Sequence, residues 1–183
     1  VTRNHPFTDT NRELLLDLGF LEVTKRSIAA PDGSTFKRIV IEHPGAVAVV
    51  PMISDDVILI RQYRAAAGQR LLEIPAGKLD LVGESIEAAA RRELAEETGY
   101  IAEGLIHLTD LWTAVGFSDE RISIFLASDM DVGTRHPIGP EEIDAEVLRM
   151  PFGDALDLVM NGDIADAKTV AGLLMTEQLR ASS

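Results

Sequence analysis

Glu93, Glu96 and Glu97 stand at i, i+3 and i+4 within GKLDLVGESIEAAARRELAEETGY, residues Gly77 to Tyr100, a spacing that puts three carboxylates on one face if the segment is helical. Glu84 lies just ahead of them. Carboxylates packed this closely repel one another, which lifts their pKa values unless cations offset the charge. Hard cations such as Mg²⁺ take oxygen ligands and leave several positions to water or phosphate. A cation so held neutralises a diphosphate, orients it and lowers the pKa of an attacking water. The chemistry this face suits is therefore hydrolysis of a phosphoanhydride. Taken without its surroundings, the Glu96-Glu97 pair equally suits an ordinary solvated helix face.

The face exists only if residues 85–98 form a helix, and the sequence predicts one. Ile86, Ala89, Ala90 and Leu94 follow helical spacing, and Gly99 supplies a stop. Upstream, the short apolar runs AVAVVPMI, VILIRQY and RLLEIPA, separated by Gly or Ser-Asp-Asp breaks, read as buried strands. Downstream, LIHLTDLW and RISIFLAS read as strands, Thr134 to Glu142 as a polar loop containing Pro and Gly, and AEVLRM as a further strand. Two helices close the chain, Phe152 to Met160 and Ile164 to Leu179, the second with Val170, Leu173 and Leu174 on one side. Near the start, FLEVTKRSIAA and TFKRIVIEH flank Pro31-Asp32-Gly33 and read as a hairpin from Phe20 to Glu42. It is polar enough to need another surface to cover it. Strands, a helix, more strands and then helices make an α+β chain of sheet and helix layers, not a regular βαβ series.

The 183 residues suffice for one domain with a full core and an appended arm, and 46% hydrophobic with 26% charged residues is a globular composition. A formal charge of -13 argues against holding nucleic acid by general electrostatics. Small anions stay accessible where metal ions and a few arginines reverse the local field. Without cysteine there are no disulfides, thiolate metal sites or cysteine nucleophiles. The opening VTRNHPFTDTNRELLLDLGF lacks the pattern of a secretory signal, and no apolar run approaches the roughly 20 residues of a membrane span. A cytoplasmic protein without a membrane partner is expected. His5, His43, His107 and His136 are scattered and read as ordinary; Trp112, ending a predicted strand, reads as core or interface.

The acidic segment as a whole resembles the Nudix box, with Gly77, Glu84, Arg92-Glu93-Leu94, Glu96-Glu97 and Gly99 in place. The loop from Gly77 to Glu84 is one residue longer than usual, a form familiar among ADP-ribose pyrophosphatases, and Tyr100 stands where an aliphatic residue is common. Beyond the box, HPGAVAVVPM, RQYRAAAGQRLLEIPAGKLD and TAVGFSDE are similar to the bacterial ADP-ribose pyrophosphatase branch. The resemblance implies a Nudix-type α/β/α sandwich with a mixed sheet over residues 45–183. It also implies an N-terminal β arm, residues 1–44, exchanged across a homodimer. The implied cofactor is Mg²⁺ or Mn²⁺, with Glu93, Glu97, Glu96 and the carbonyl of Ala76 as ligands and Arg92 bracing the carboxylates. Glu84 holds loop and helix together in this reading, and Gly77 and Gly99 shape the motif's ends.

The resemblance also implies a catalytic base on the loop after the box, Glu142 with Glu141 as its neighbour; an acidic surface loop fits these two residues equally well. Arg64 and Glu73 match positions that contact the nucleotide end of the ligand, or else form a salt bridge at a strand end. Phe117, Ser118 and Asp119 match a loop near the terminal ribose, and Phe117 also suits a core. The implied reaction is cation-dependent hydrolysis of ADP-ribose to AMP and ribose 5-phosphate. Sixteen residues after Gly99, where many ADP-ribose enzymes have proline, stands Val115. A nucleotide sugar such as GDP-mannose is therefore the competing substrate, and a non-catalytic nucleotide sensor the competing role.

Overall fold

AVAVVPMI has no polar side, and the strand it forms, β4 (Ala46–Ile53), is buried along almost its whole length. The computed structural model describes residues 6–182; His5 lies outside the described residues. Ahead of β4 come β1 (Thr8–Asp17), β2 (Glu22–Ala29) and β3 (Thr35–Glu42). After it come β5 (Asp56–Arg64), β6 (Gln69–Glu73), β7 (Ala76–Lys78), α1 (Ile86–Thr98), β8 (Tyr100–Trp112) and β9 (Arg121–Val132). The chain closes with α2 (Pro140–Ile143), β10 (Glu146–Pro151), α3 (Phe152–Asn161) and α4 (Ala167–Ala181). No helix among the described residues is long and apolar enough to cross a membrane.

The chain divides into two compact units, one of the residues up to Gly45 with Trp112–Arg121, the other of Ala46–Leu111 with the residues from Ile122 onward. In the second unit the side-chain period of two along β4 feeds two cores. Ala46, Ala48, Val50 and Met52 pack with Phe152 and Ala155 of α3 and Leu173 of α4. Val47 and Val49 pack on the opposite face with Ala89, Ala90 and Leu94 of α1. Helices on both faces of one sheet make the α/β/α sandwich of a mixed α/β fold. The sheet runs β10-β5-β4-β9-β8, with β6 added to β5 and β7 to β4. It is mixed because β4 lies parallel to β9 and antiparallel to β5.

One irregularity in this sheet positions the acidic helix. β4 and β5 pair only at Met52↔Val57 and Ile53↔Asp56. Beyond that point β6 takes over β5, at Ile60↔Glu73, and β7 takes over β4, at Ala48↔Ala76. The run RLLEIPA is thus two strands and not the single one its apolarity suggests. Pro75 has no N–H to continue a ladder, and its carbonyl instead accepts from Val49 N at 3.0 Å.

Three other expectations need correction. The loop Thr134 to Glu142 contains the start of α2, with Pro140 at its first turn, where a preset φ and a missing N–H cost nothing. Ile86, the first residue of α1, is 42% exposed because the packed face begins at Ala89. The seam of α4 is Thr169, Gly172, Leu173 and Thr176, while Leu174 is exposed. Gly172 belongs there because a Cβ would come within 2.9 Å of Val50 Cγ2.

The first unit is built on an antiparallel sheet in the order β1-β2-β3, turning between β2 and β3 at Gly33 with φ of +82°. The predicted hairpin is β2 and β3; the sequence reading did not anticipate β1. Glu42 accepts from Arg12, Thr24 and Arg26, and chiefly the Arg12 hydrogen bond holds its carboxyl down to about 2. Leu14, Leu15, Leu16, Leu18 and Phe20 are exposed, as is Trp112, which is not a core residue of this chain.

Candidate active site

α1 begins where Ser85 Oγ accepts from Ala88 N at 3.1 Å and ends at Gly99, whose φ of 80° lets its N–H reach the Ala95 carbonyl. Its buried Ala89, Ala90 and Leu94 fix which face meets the sheet. That same rotation carries Glu93 and Glu97 inward, to 9% and 4% exposure. Glu97 Oε2 accepts from Ala76 N at 2.8 Å, at the place where the sheet forks. Glu93 lies against Gly77, so closely that a Cβ there would sit 1.9 Å from its carboxyl carbon. Glycine at position 77 is what leaves room for that carboxylate.

Arg92 ties these acids together. Its Nε and Nη2 bind Glu84, at 3.0 and 2.9 Å, and its Nη1 bridges Glu93 at 2.7 Å and Glu96 at 3.1 Å. The side chains expected to brace and to ligate are thus gathered on one end of α1. Among the described residues no group of three or more His, Asp and Glu side chains is placed to hold a metal ion by itself. An ion here would need the main chain as well as the carboxylates.

The electrostatics separate the acids. Burial, against the Ala76 N–H that favours the charged form, pushes Glu97 up to about 8, with the charges of Glu93 and Glu142 adding to the rise. Burial likewise raises Glu93, with Arg92 opposing and Glu96 and Glu142 reinforcing. The Arg92 hydrogen bond instead lowers Glu84. Glu93, paired with Arg92, and Glu97, which accepts from Ala76 N, present carboxylate oxygens of the kind a hard divalent cation takes.

Glu142 lies on α2, close enough for its charge to act on both Glu93 and Glu97. Its Oε2 accepts from Ile138 N at 2.6 Å. Glu141 is exposed. Arg64 and Glu73 form a two-bond fork, Nε to Oε1 at 2.8 Å and Nη2 to Oε2 at 2.7 Å, and Lys168 also binds Glu73. Burial would raise Glu73, but the two cations together outweigh it and lower its pKa. The strand-end salt bridge is real; Glu73 is only 1% exposed, whereas Arg64 keeps 41% of its side chain in solvent.

Phe117, Ser118 and Asp119 belong to the other unit, with the arm. Asp119 accepts from His43 N at 2.9 Å and from Arg26 at 3.2 Å. Ser118 Oγ accepts from Glu120 N, and Phe117 is 58% exposed, which excludes a core role within this chain.

Two residues escaped the sequence reading. Gln62, on β5 two residues before Arg64, is buried, and among the described residues its Nε2 has no hydrogen-bond partner. Arg135 binds three main-chain carbonyls around α1 and α2. Neither has a local sequence signal, apart from a polar residue inside an apolar run for Gln62.

A forked mixed sheet between helices thus seats buried glutamates against the main chain of Ala76 and Gly77. Residues 42–172 match the NUDIX domain, and the chain belongs to the Nudix family of pyrophosphohydrolases. It is 37% identical over 165 residues to the ADP-ribose pyrophosphatase of Bacillus subtilis (strain 168), covering 88% of this chain and 89% of that protein. It is 40% identical over 131 residues to the GDP-mannose pyrophosphatase of Cronobacter sakazakii, covering 68% of this chain and 67% of that protein. A crystal structure of an ADP compounds hydrolase superposes with a TM-score of 0.84 at 26% identity, covering 97% of this chain and 96% of that one. The substrate class is accordingly a nucleotide or nucleotide-sugar diphosphate.

Proposed function

We propose that this chain hydrolyses ADP-ribose to AMP and ribose 5-phosphate with Mg²⁺ or Mn²⁺. The observation that carries the reading is the buried Glu93–Glu97 pair, seated against Ala76 and Gly77. Glu93 and Glu97, with Glu96 and the carbonyl of Ala76, hold the cation, which when bound neutralises the diphosphate and acidifies water. Arg92 keeps Glu93 and Glu96 in register, and Glu84 anchors Arg92. Glu142 takes the proton from the attacking water as its oxygen bonds to phosphorus and the bridging P–O bond breaks; Glu141, pointing to solvent, is the lesser candidate. Arg64, fixed by Glu73, meets phosphate or nucleotide with the part of its guanidinium outside the fork.

ADP-ribose is favoured because similarity to the B. subtilis protein extends over most of both chains, whereas the GDP-mannose relative matches about two thirds of each. A panel of ADP-ribose, NADH, ADP-glucose, GDP-mannose and diadenosine polyphosphates with Mg²⁺ tests this. The highest kcat/KM is expected for ADP-ribose, and a preference for GDP-mannose sinks the assignment.

The arm, residues 1–44, pairs with a second copy in this reading. Leu14, Leu15, Leu16, Leu18 and Phe20 are exposed in the single chain, and a second copy would cover them. Light scattering should give twice the chain mass of 19.9 kDa. A monomer at assay concentration removes the exchange.

A further inference from the structure

The last turn of a helix leaves carbonyls without intrahelical partners, and in α1 those of Glu96 and Glu97 are taken up by one short stretch of chain. His136 N donates to the Glu96 carbonyl at 3.1 Å. Arg135 Nε donates to the Glu97 carbonyl at 2.5 Å. Gly133 N donates to Gly99 O at 2.7 Å, and a Cβ on Gly99 would meet Arg135 N at 3.1 Å. Gly99 therefore does more than stop the helix: it admits residues 133–136 against its end.

The same guanidinium then reaches the other way. Arg135 Nη1 donates to the Ala145 carbonyl at 3.0 Å, and Nη2 donates to the carbonyl of Glu142. One planar group thus joins the main chain of Glu97 to the main chain of Glu142. Burial holds the Glu142 segment weakly, since α2 has four residues, none of them buried, and Ile138 and Ile143 are 68% and 66% exposed; its far end is tied by the Arg70–Asp144 ion pair and by buried Ala145.

We infer that Arg135 is a positioning residue, clasping the helix of the cation-binding glutamates to the segment that carries Glu142 and so fixing the spacing between them. The inference rests on the proposed role of Glu142 as base. Arginine is required because its donors diverge in one rigid plane, whereas a lysine offers one nitrogen and cannot span three carbonyls.

Arg135→Ala and Arg135→Lys are compared with wild type on ADP-ribose and Mg²⁺, alone and combined with Glu142→Gln. Hydrogen exchange and thermal melting are followed on the same samples. A base displaced by a fraction of an ångström to an ångström costs roughly 10- to 100-fold in kcat, with KM close to wild type and no rescue by lysine. The loss should vanish in the Glu142→Gln background, where there is no base left to misplace. Amides of His136 and residues 143–145 should exchange faster while those of α1 from Ala89 to Leu94 stay protected. Rescue by lysine, undiminished loss on top of Glu142→Gln, or unchanged exchange in residues 136–145 overturns the inference. If Glu142→Gln alone keeps wild-type kcat, the base assignment falls, and the exchange of residues 136–145 still decides the clasp.

Discussion

Glu97→Gln is expected to abolish nearly all turnover of ADP-ribose while leaving the protein folded. The substitution keeps size and shape, and the amide oxygen can still accept the Ala76 N–H that Glu97 Oε2 holds at 2.8 Å. What it removes is the negative oxygen that the proposed ligand role requires. A ligand's share of transition-state charge stabilisation amounts to several kcal/mol, so kcat/KM should fall by about 1,000-fold. Equal slow turnover by wild type and variant would defeat the assignment of Glu97 as a ligand.

The same variant carries a stability signature of opposite sense. Folding raises Glu97 from 4.5 to about 8, mainly by burial. The folded chain therefore keeps a proton that the unfolded chain gives up near the ordinary carboxylate value. That contribution is complete below about pH 4.5 and is lost as pH rises through about 8. In EDTA, wild type should lose melting temperature between about pH 5 and pH 8.5 more steeply than Glu97→Gln. Parallel slopes would mean that Glu97 is not held neutral by its surroundings. A residue whose replacement removes activity yet steadies the cation-free fold is there for the reaction and not for the fold.

What could be read from the chain beforehand was whatever depends on near neighbours. The α1 helix was legible because the Ala89–Ala90–Leu94 spacing and Gly99 are local signals, and the glutamates on it inherit its period. β4 was legible because it is apolar throughout. By contrast β1, exposed at every position, has no buried face to impose alternation. α4 hid its seam because Thr169, Gly172 and Thr176 pack through size and hydrogen bonding, not hydropathy; Thr169 Oγ1 accepts from Ile74 N. Arg135 meets Glu97 across 38 residues, a distance over which no periodicity speaks. The grouping of the glutamates on one helix was thus visible in spacing, and the contact that Arg135 makes with that helix was not.

Gly77→Ala is expected to disable the site at little cost to the fold. An added Cβ would lie 1.9 Å from Glu93 Cδ and 2.1 and 2.2 Å from its two oxygens, well inside contact distance. Something must give, and the group in the way is the end of a flexible side chain rather than main chain. Gly77 is paired with Val47 in the sheet and is not among the glycines with positive φ, so alanine strains neither ladder nor backbone. Glu93 then swings away, separating from Glu97 and from the Arg92 Nη1 that holds it at 2.7 Å. A displacement of that size should cost about 100-fold or more in turnover and raise the Mg²⁺ concentration needed for half-maximal rate. The melting temperature should shift little. In a Glu93→Ala background the space beside residue 77 is open, so Gly77→Ala should add nothing there. A full further loss in that background would show that the glycine serves the backbone, and wild-type turnover in the single variant would show that Glu93 needs no such seat.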